Sequence, residues 1–563
     1  MSNRFGWRVI VLLTVFALAA LIGGCAGTPT AQPAQNQPAA KEAESAPEAP
    51  KQEVTQPAPA GTQATGKWSD RTFVKAYLSI PKHIDPHGSG WDNSFDPVLR
   101  SLYEPLIDYN PQTQKLEGIL ATEWEVGPEA KTYTFKLRKD VKFHDGSQLT
   151  ADAVKLSLER IVDQGFGRAK LLRNLDKVEV VDDLTVRIHL TDTDAVFLSK
   201  VPEFLIASAD ALKAHFDDDW FLTHEAGSYA YMLESYTPGA DVITYKPFPD
   251  YWRGWESPAN GIHLGRIETR QVPETPTQRL LLESGEAHFM QRFPISFVFE
   301  MQNHPLAKPM AMDTYRISFL PLNVAHGPLK DIRLRQMLQY AFPYKALIED
   351  YYQGMCDPAV GPLHPNFLKD ETLQPFEQDL EKAKALREEA GYGPGELKLT
   401  YLYPTGGEEQ KQPGILLQDA LRKIDVELQV DTIPWANIVE RVASGAENAP
   451  DVMTLINSPT VVDPGIGLLE SLFHSVNAGG PYNWGRYSNP EFDKLLDEAQ
   501  RTLDDEKRLE MYRQAQRMLI DDAAGVFLCH PDRWVLLNRD VEGYWFDPIG
   551  MEWQPWYDMY WTK

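Results

Sequence analysis

Residues 141–161, VKFHDGSQLTADAVKLSLERI, set His144, Asp145 and Gly146 side by side. A histidine beside a carboxylate is raw material for general-base chemistry, but a working base needs a third group to hold it and a nucleophile or metal to act on. Nothing local supplies either. Along the whole chain there is no Gly-x-Ser-x-Gly elbow, no His-Glu-x-x-His and no Gly-x-x-x-x-Gly-Lys-Ser/Thr phosphate loop. Two carboxylates could always be paired into a glycosidase site, but among 80 acidic residues such pairs carry no signal. The elements on either side explain the motif better. Upstream, KTYTFKLR alternates Tyr133, Phe135 and Leu137 with polar residues, the period of a half-buried strand. Downstream, Thr150 stands at an N-cap position, Asp152 suits the first turn, and Val154, Leu158 and Ile161 recur at helical spacing. Asp-Gly between them accepts the positive φ of a tight turn. The stretch reads as a corner from strand to helix.

At 563 residues, with 43% apolar residues and 14 tryptophans, the chain can fill two or three cores. A net charge of −25 excludes charge-driven binding to nucleic acid or to an anionic bilayer, so small solutes or proteins are the expected partners. No internal repeat of the kind expected in a surface adhesin is visible. The start of the chain predicts a place of work. Arg4 and Arg8 precede an apolar run, VIVLLTVFALAAL, too short for a standard membrane span, and small residues lead up to Cys25. That order fits a secretory leader over 1–24, and LIGGCAG resembles a bacterial lipobox, which implies a diacylglycerol anchor on Cys25 and a home in the cell envelope outside the cytoplasm. Residues 26 to about 66, rich in Pro, Ala, Gln and Glu, cannot build a core, and 25–67 is expected to be a disordered tether reaching on the order of 35 Å. Cys356 and Cys529 remain; an oxidising compartment permits a disulfide between them, and sequence leaves the question open. The residues call for no metal and no cofactor.

The middle of the chain alternates strand and helix. LKLTYLY (397–403), VELQVDT (426–432) and DVMTLI (451–456) read as strands, with GILLQDALRKI (414–424) and WANIVERVASG (435–445) as helices between them. This order predicts an α/β fold with a parallel sheet, in which ligands collect at the carboxyl ends of the strands. PTGGEE and NSPTVVDPG lie at those ends.

Several collinear segments resemble one family. SLYEPLIDYNPQTQKLEGILATEWEV (101–126), the 133–161 stretch, ESYTPGADVITYKPFPDYWRG (234–254), PLKDIRLRQMLQYAFPYKALIEDYYQGMCDPAVGP (328–362), DLEKAKALREEAGY (379–392) and NWGRYSNPEFDKLLDEAQ (483–500) are similar to the extracellular solute-binding proteins of dipeptide, oligopeptide and nickel ABC importers, family 5. Two departures are evident: EAGSYAY replaces the usual Gly-x-Gly-Pro-Tyr, and AFPY replaces Ala-Ile-Asp-Arg. The resemblance implies a two-lobed, periplasmic-binding-protein-like fold of type II. Lobe one would take 68–318 plus 528–563, with a subdomain over about 112–200, and lobe two 319–527, with hinge crossings near FLPLN and FLCHPDRW. It also implies a monomer that closes on its solute, makes and breaks no bond, and delivers to permease subunits.

For the site, peptide-binding relatives use an aspartate in the loop after the third strand to pair with the peptide's α-amino group. The counterpart here is Thr460, with Asn457 where a tryptophan is common; Asp463 either replaces the anchor or caps a turn. Aromatic candidates are Trp91, Tyr103, Tyr403, Tyr482 and Trp484, with Asn483 placed to fix polar atoms. Peptide is the first expectation, and the missing anchor keeps an oligosaccharide or other neutral solute in view.

Overall fold

The computed structural model describes residues 68–562 apart from 89–95, 166, 257, 259–260, 313, 481, 547 and 550–554. The expected leader, the tether, the lipidation site Cys25 and the candidate Trp91 lie outside the described residues.

A seven-stranded sheet carries the first half of the molecule, in the order 307–312, 533–538, 289–291, 72–77, 266–271, 242–247, 231–235. At its centre Thr72–Tyr77 runs parallel to both Arg266–Gln271 and Phe289–Gln291, and the flanking strands are antiparallel. A central strand must be apolar on both faces, and TFVKAY nearly is. Phe73 enters one core with Phe289 and Leu537, while Val74 and Ala76 enter another on the opposite face.

The corner described above belongs to a separate four-stranded antiparallel sheet, 121–126, 132–137, 185–190 and 175–182 in order. Tyr133, Phe135 and Leu137 all point inward, as their period requires. Helix Ala151–Gln164 covers them with Val154, Leu158 and Ile161, and Gly165 ends it in the left-handed conformation. Thr150 occupies the N-cap position with an extended backbone, yet its side chain makes no capping bond.

The remaining half contains a parallel sheet (427–433, 398–404, 452–453) and a four-stranded antiparallel sheet (356–358, 525–531, 317–321, 455–457). Two expectations need correction. The third strand over 451–456 divides: Val452–Met453 pairs with 398–404, whereas Leu455–Asn457 pairs antiparallel with Ile317–Pro321. The switch falls at Thr454, whose hydroxyl is hydrogen-bonded to that of Tyr401, so one segment joins two sheets. The first helix starts at Glu408, ahead of the expected 414, and runs through Pro413, because Glu408 and Glu409 favour the first turn. Gly414 is needed there: a Cβ would lie 2.4 Å from the Tyr401 ring.

The two halves are joined by one paired ribbon. Ala307–Met312 lies beside Arg533–Asn538 in the seven-stranded sheet, and the continuations Ile317–Pro321 and Gly525–Pro531 lie beside each other in the next. Cys356 and Cys529 form a disulfide, fastening strand Cys356–Pro358 to the ribbon across a sequence separation of 173 residues. Closing so long a loop restricts the unfolded chain, so the Cys356→Ser/Cys529→Ser protein is expected to lose about 2–5 kcal/mol of stability. Denaturant unfolding of the two proteins checks this; coincident midpoints would show that the bridge adds nothing.

Candidate functional site

His144 is fully committed to structure. Its Nδ1 donates to both carboxylate oxygens of Glu225, each at 2.8 Å, and its Nε2 donates to the Tyr229 carbonyl at 2.8 Å. Both partners are acceptors only, so the ring is an imidazolium with no lone pair, and it cannot serve as a base. Its side chain is 2% exposed and that of Glu225 5%. Burial alone would depress the imidazole, but the Glu225 carboxylate and the Tyr229 carbonyl more than offset it, and the pKa lies above the ordinary 6.5. Asp145 accepts from the Ser147 amide and hydroxyl, and Gly146 takes φ +88°. The divergent EAGSYAY segment thus supplies the histidine's partner, and its Gly227 is obligatory because a Cβ would sit 1.9 Å from the Leu102 carbonyl.

The loop after the divided strand is also committed. Asp463 is 7% exposed, its carboxylate accepts from the Ile466 amide at 3.0 Å, and burial pushes its pKa up. It caps the helical turn Gly465–Glu470, while Thr460 donates its amide to the Gly467 carbonyl. Val461 and Ile466 insert into the core of the small antiparallel sheet. Asn483 is 1% exposed, with its amide bonded to the carbonyls of Phe473, His474 and Tyr487 and its oxygen accepting from the Tyr487 amide. Tyr103 is buried in the first half's core, accepting from the Ala226 amide.

The remaining candidates lie in the second half, on or after its strands. Tyr403 is half-buried near the end of Lys398–Pro404. Asn457, at the end of its strand and opposite Ile317, has a buried Oδ1 with no hydrogen-bond partner among the described residues. Trp484 is buried against Trp435, ring centroids 5.2 Å apart, and Trp435 itself is 47% exposed at the first position of helix Trp435–Ala443. Tyr482, half-buried, precedes this pair. Sequence reasoning passed over Trp435, although its place just beyond a strand end, after Pro434, was a usable signal. In the first half the corresponding edge is formed by the ends of strands 72–77, 266–271 and 289–291, where Tyr77, Gln271 and Gln291 stand. Both edges adjoin the paired ribbon. Away from it, polar contacts join the small sheet to the second half in addition to Val461 and Ile466: Arg173 to Glu470 at 3.0 Å, Arg501 to Asp192 at 2.9 Å, and the Ala195 amide to the Gln500 carbonyl at 2.8 Å. No group of three or more His, Cys, Asp or Glu side chains placed to hold a metal occurs among the described residues.

The strand ends of two sheets thus flank a shared two-strand crossing. Residues 115–480 match the profile of "Bacterial extracellular solute-binding proteins, family 5 Middle". The chain belongs to the family 5 bacterial extracellular solute-binding proteins. It is 28% identical over 498 residues to the probable D,D-dipeptide-binding periplasmic protein DdpA of Escherichia coli K12, covering 85% of this chain and 94% of that one. To heme-binding protein A of Haemophilus influenzae it is 28% identical over 512 residues, 86% and 91% of the two chains. Among solved structures, a dipeptide-binding protein from Pseudoalteromonas sp. SM9913 with bound Met-Leu aligns with a TM-score of 0.76 at 22% identity, over 87% of this chain and 100% of that one. HbpA2 from Haemophilus parasuis aligns with a TM-score of 0.71 at 25% identity, over 87% and 100%. The fold is therefore the type II periplasmic-binding-protein fold, and this family 5 protein shares it along nearly its whole described length. Its characterised relatives are binding proteins.

Replacing His144 by Gln should remove a buried charge pair and lower stability by about 3 kcal/mol or more. Because the folded pKa is raised, the stabilisation is complete below the ordinary 6.5 and is lost as pH rises through the folded value. Denaturation at about pH 5.5 and about pH 9 should show the larger wild-type advantage at the lower pH. An equal difference would mean that the ring is uncharged.

Proposed function

We propose that this chain is the substrate-binding component of an ABC importer that captures a peptide-type solute between two lobes and presents it to a membrane permease. The carrying observation is the convergence of parallel strand ends from both halves on one paired ribbon, which lets the halves rotate while the strand ends meet around a ligand. Names of relatives that bind dipeptides and glutathione support the peptide class. Asn457 supports it too, because a buried acceptor at the cleft's edge suits a peptide N–H. Tyr403, Tyr482, Trp484 and the exposed Trp435 form the apolar wall of the second lobe. The lobes are 68–318 with 528–563, and 319–527. The protein works as a monomer, held at the outer face of a membrane by lipid on Cys25, which LIGGCAG supports. Among the described residues no helix is long and apolar enough to cross a membrane.

Capture is noncovalent: solute binds the closed form more tightly and shifts the population toward it. Thr460 and Asp463 do not anchor an amine in this reading, since Asp463 is engaged as a helix cap. Asp463→Ala is therefore expected to cost about 1 kcal/mol of stability while leaving peptide affinity nearly unchanged; a large loss of affinity in a folded variant would return the anchor role to it. Small-angle scattering of the purified protein should show a smaller radius of gyration with a mixed peptide digest. An unchanged radius with peptides and with maltooligosaccharides alike, or turnover of any of them, would overturn the importer reading.

A further inference from the structure

Among the described residues, the buried core of the small antiparallel sheet is drawn from residues 106–209 with two exceptions. Val461, 2% exposed, and Ile466, 6% exposed, enter it from the second half. The loop that carries them is stiff: the Asp463 carboxylate accepts from the Ile466 amide at 3.0 Å, the Asp463 carbonyl accepts from the Gly467 amide at 2.7 Å, and a Cβ on Gly467 would lie 2.7 Å from the Val461 carbonyl. Its root is fixed as well, because Leu468, Leu469 and Leu472 on the same helical run pack into the second half's own core with Leu496 and Tyr512. Two apolar side chains are thus held out on a rigid tip and inserted into a core that otherwise belongs to the other half.

Polar contacts accompany this plug. Arg173 reaches Glu470 at 3.0 Å and Gln500 at 3.3 Å, Arg501 reaches Asp192 at 2.9 Å, and the Ala195 amide donates to the Gln500 carbonyl at 2.8 Å. Beside Ala195, Asp194 is 2% exposed; one carboxylate oxygen accepts from Lys200 at 2.6 Å, and Oδ1 has no hydrogen-bond partner among the described residues. A permanent core pairs such atoms. A contact made of two apolar side chains, several charges and an unpaired carboxylate oxygen is of the kind that parts and re-forms, as contacts between domains of one chain commonly do.

Resting on the two-lobed solute-binding reading above, we infer that Val461 and Ile466 form a latch, which seats in the small sheet's core when the lobes close and leaves it when they open, and which sets solute affinity without supplying a bond to the solute. The plug belongs to 319–527 and its socket to 68–318, on opposite sides of the ribbon, so rotation of the lobes about the ribbon draws the one out of the other. Burial of the two side chains stabilises the closed form alone. A solute that binds the closed form inherits that stabilisation, because its apparent affinity follows the fraction of protein ready to bind.

The test titrates the purified protein with a tryptic digest of casein, followed by small-angle scattering and by amide hydrogen exchange. In the wild type, saturating digest should slow exchange over 192–197, which holds the Ala195 amide, by about tenfold or more, while strand 132–137 of the same sheet is unaffected. Val461→Ala/Ile466→Ala should raise the digest concentration that gives half the change in radius of gyration by about thirtyfold or more. Arg501→Ala, which removes an exposed ion pair at the same contact, should raise it by about fivefold at most. Exchange over 192–197 that is slow without digest and unchanged by it, or a half-change concentration that the double variant leaves in place, would make the contact a fixed joint and overturn the latch while the solute-binding reading stands. The exchange measurement uses the wild type alone, so it decides the matter even where the double variant does not fold. If the digest alters neither radius nor exchange anywhere in the wild type, the solute-binding reading falls and the latch with it.

Discussion

Two chain segments run side by side out of one sheet and into another, and the geometry of that ribbon governs everything the molecule can do. The last pair in the seven-stranded sheet is Met312 with Arg533, and Ser318 with Cys529 already belongs to the next. Between these two pairs one segment is five residues long and the other three, so the ladder cannot continue in register. Two bonds bridge the gap: the Thr314 hydroxyl donates to the Pro531 carbonyl at 3.2 Å, and His530 Nδ1 donates to the Arg316 carbonyl at 2.8 Å. Burial, with His364 beside it, holds His530 down to about 3, so the ring stays neutral with its proton on Nδ1 at any physiological pH. The disulfide, one residue from His530, ties strand Cys356–Pro358 to the second sheet beside this break.

Local period carried much of the fold. Tyr133, Phe135, Leu137 and the Val154, Leu158, Ile161 stripe alternate as sequence requires, because each element there has one wet face and one dry one. The divided strand at 451–456 was illegible for the opposite reason: Val452, Met453 and Leu455 are all buried, and a run that is apolar throughout has no period to reveal a change of partner. Long-range pairs were equally hidden. His144 and Glu225 lie 81 residues apart, and nothing near either announces the other.

In the segment 457–470 Asp463 holds the turn, and Val461 and Ile466 are presented to the small sheet. Magnitudes decide what this contact is worth. Burying those two side chains stabilises it by about 1.5–3 kcal/mol each, whereas ion pairs as exposed as Arg501 with Asp192 contribute about 0–1 kcal/mol. The link between the small sheet and the second half is therefore mainly apolar and only weakly dependent on salt.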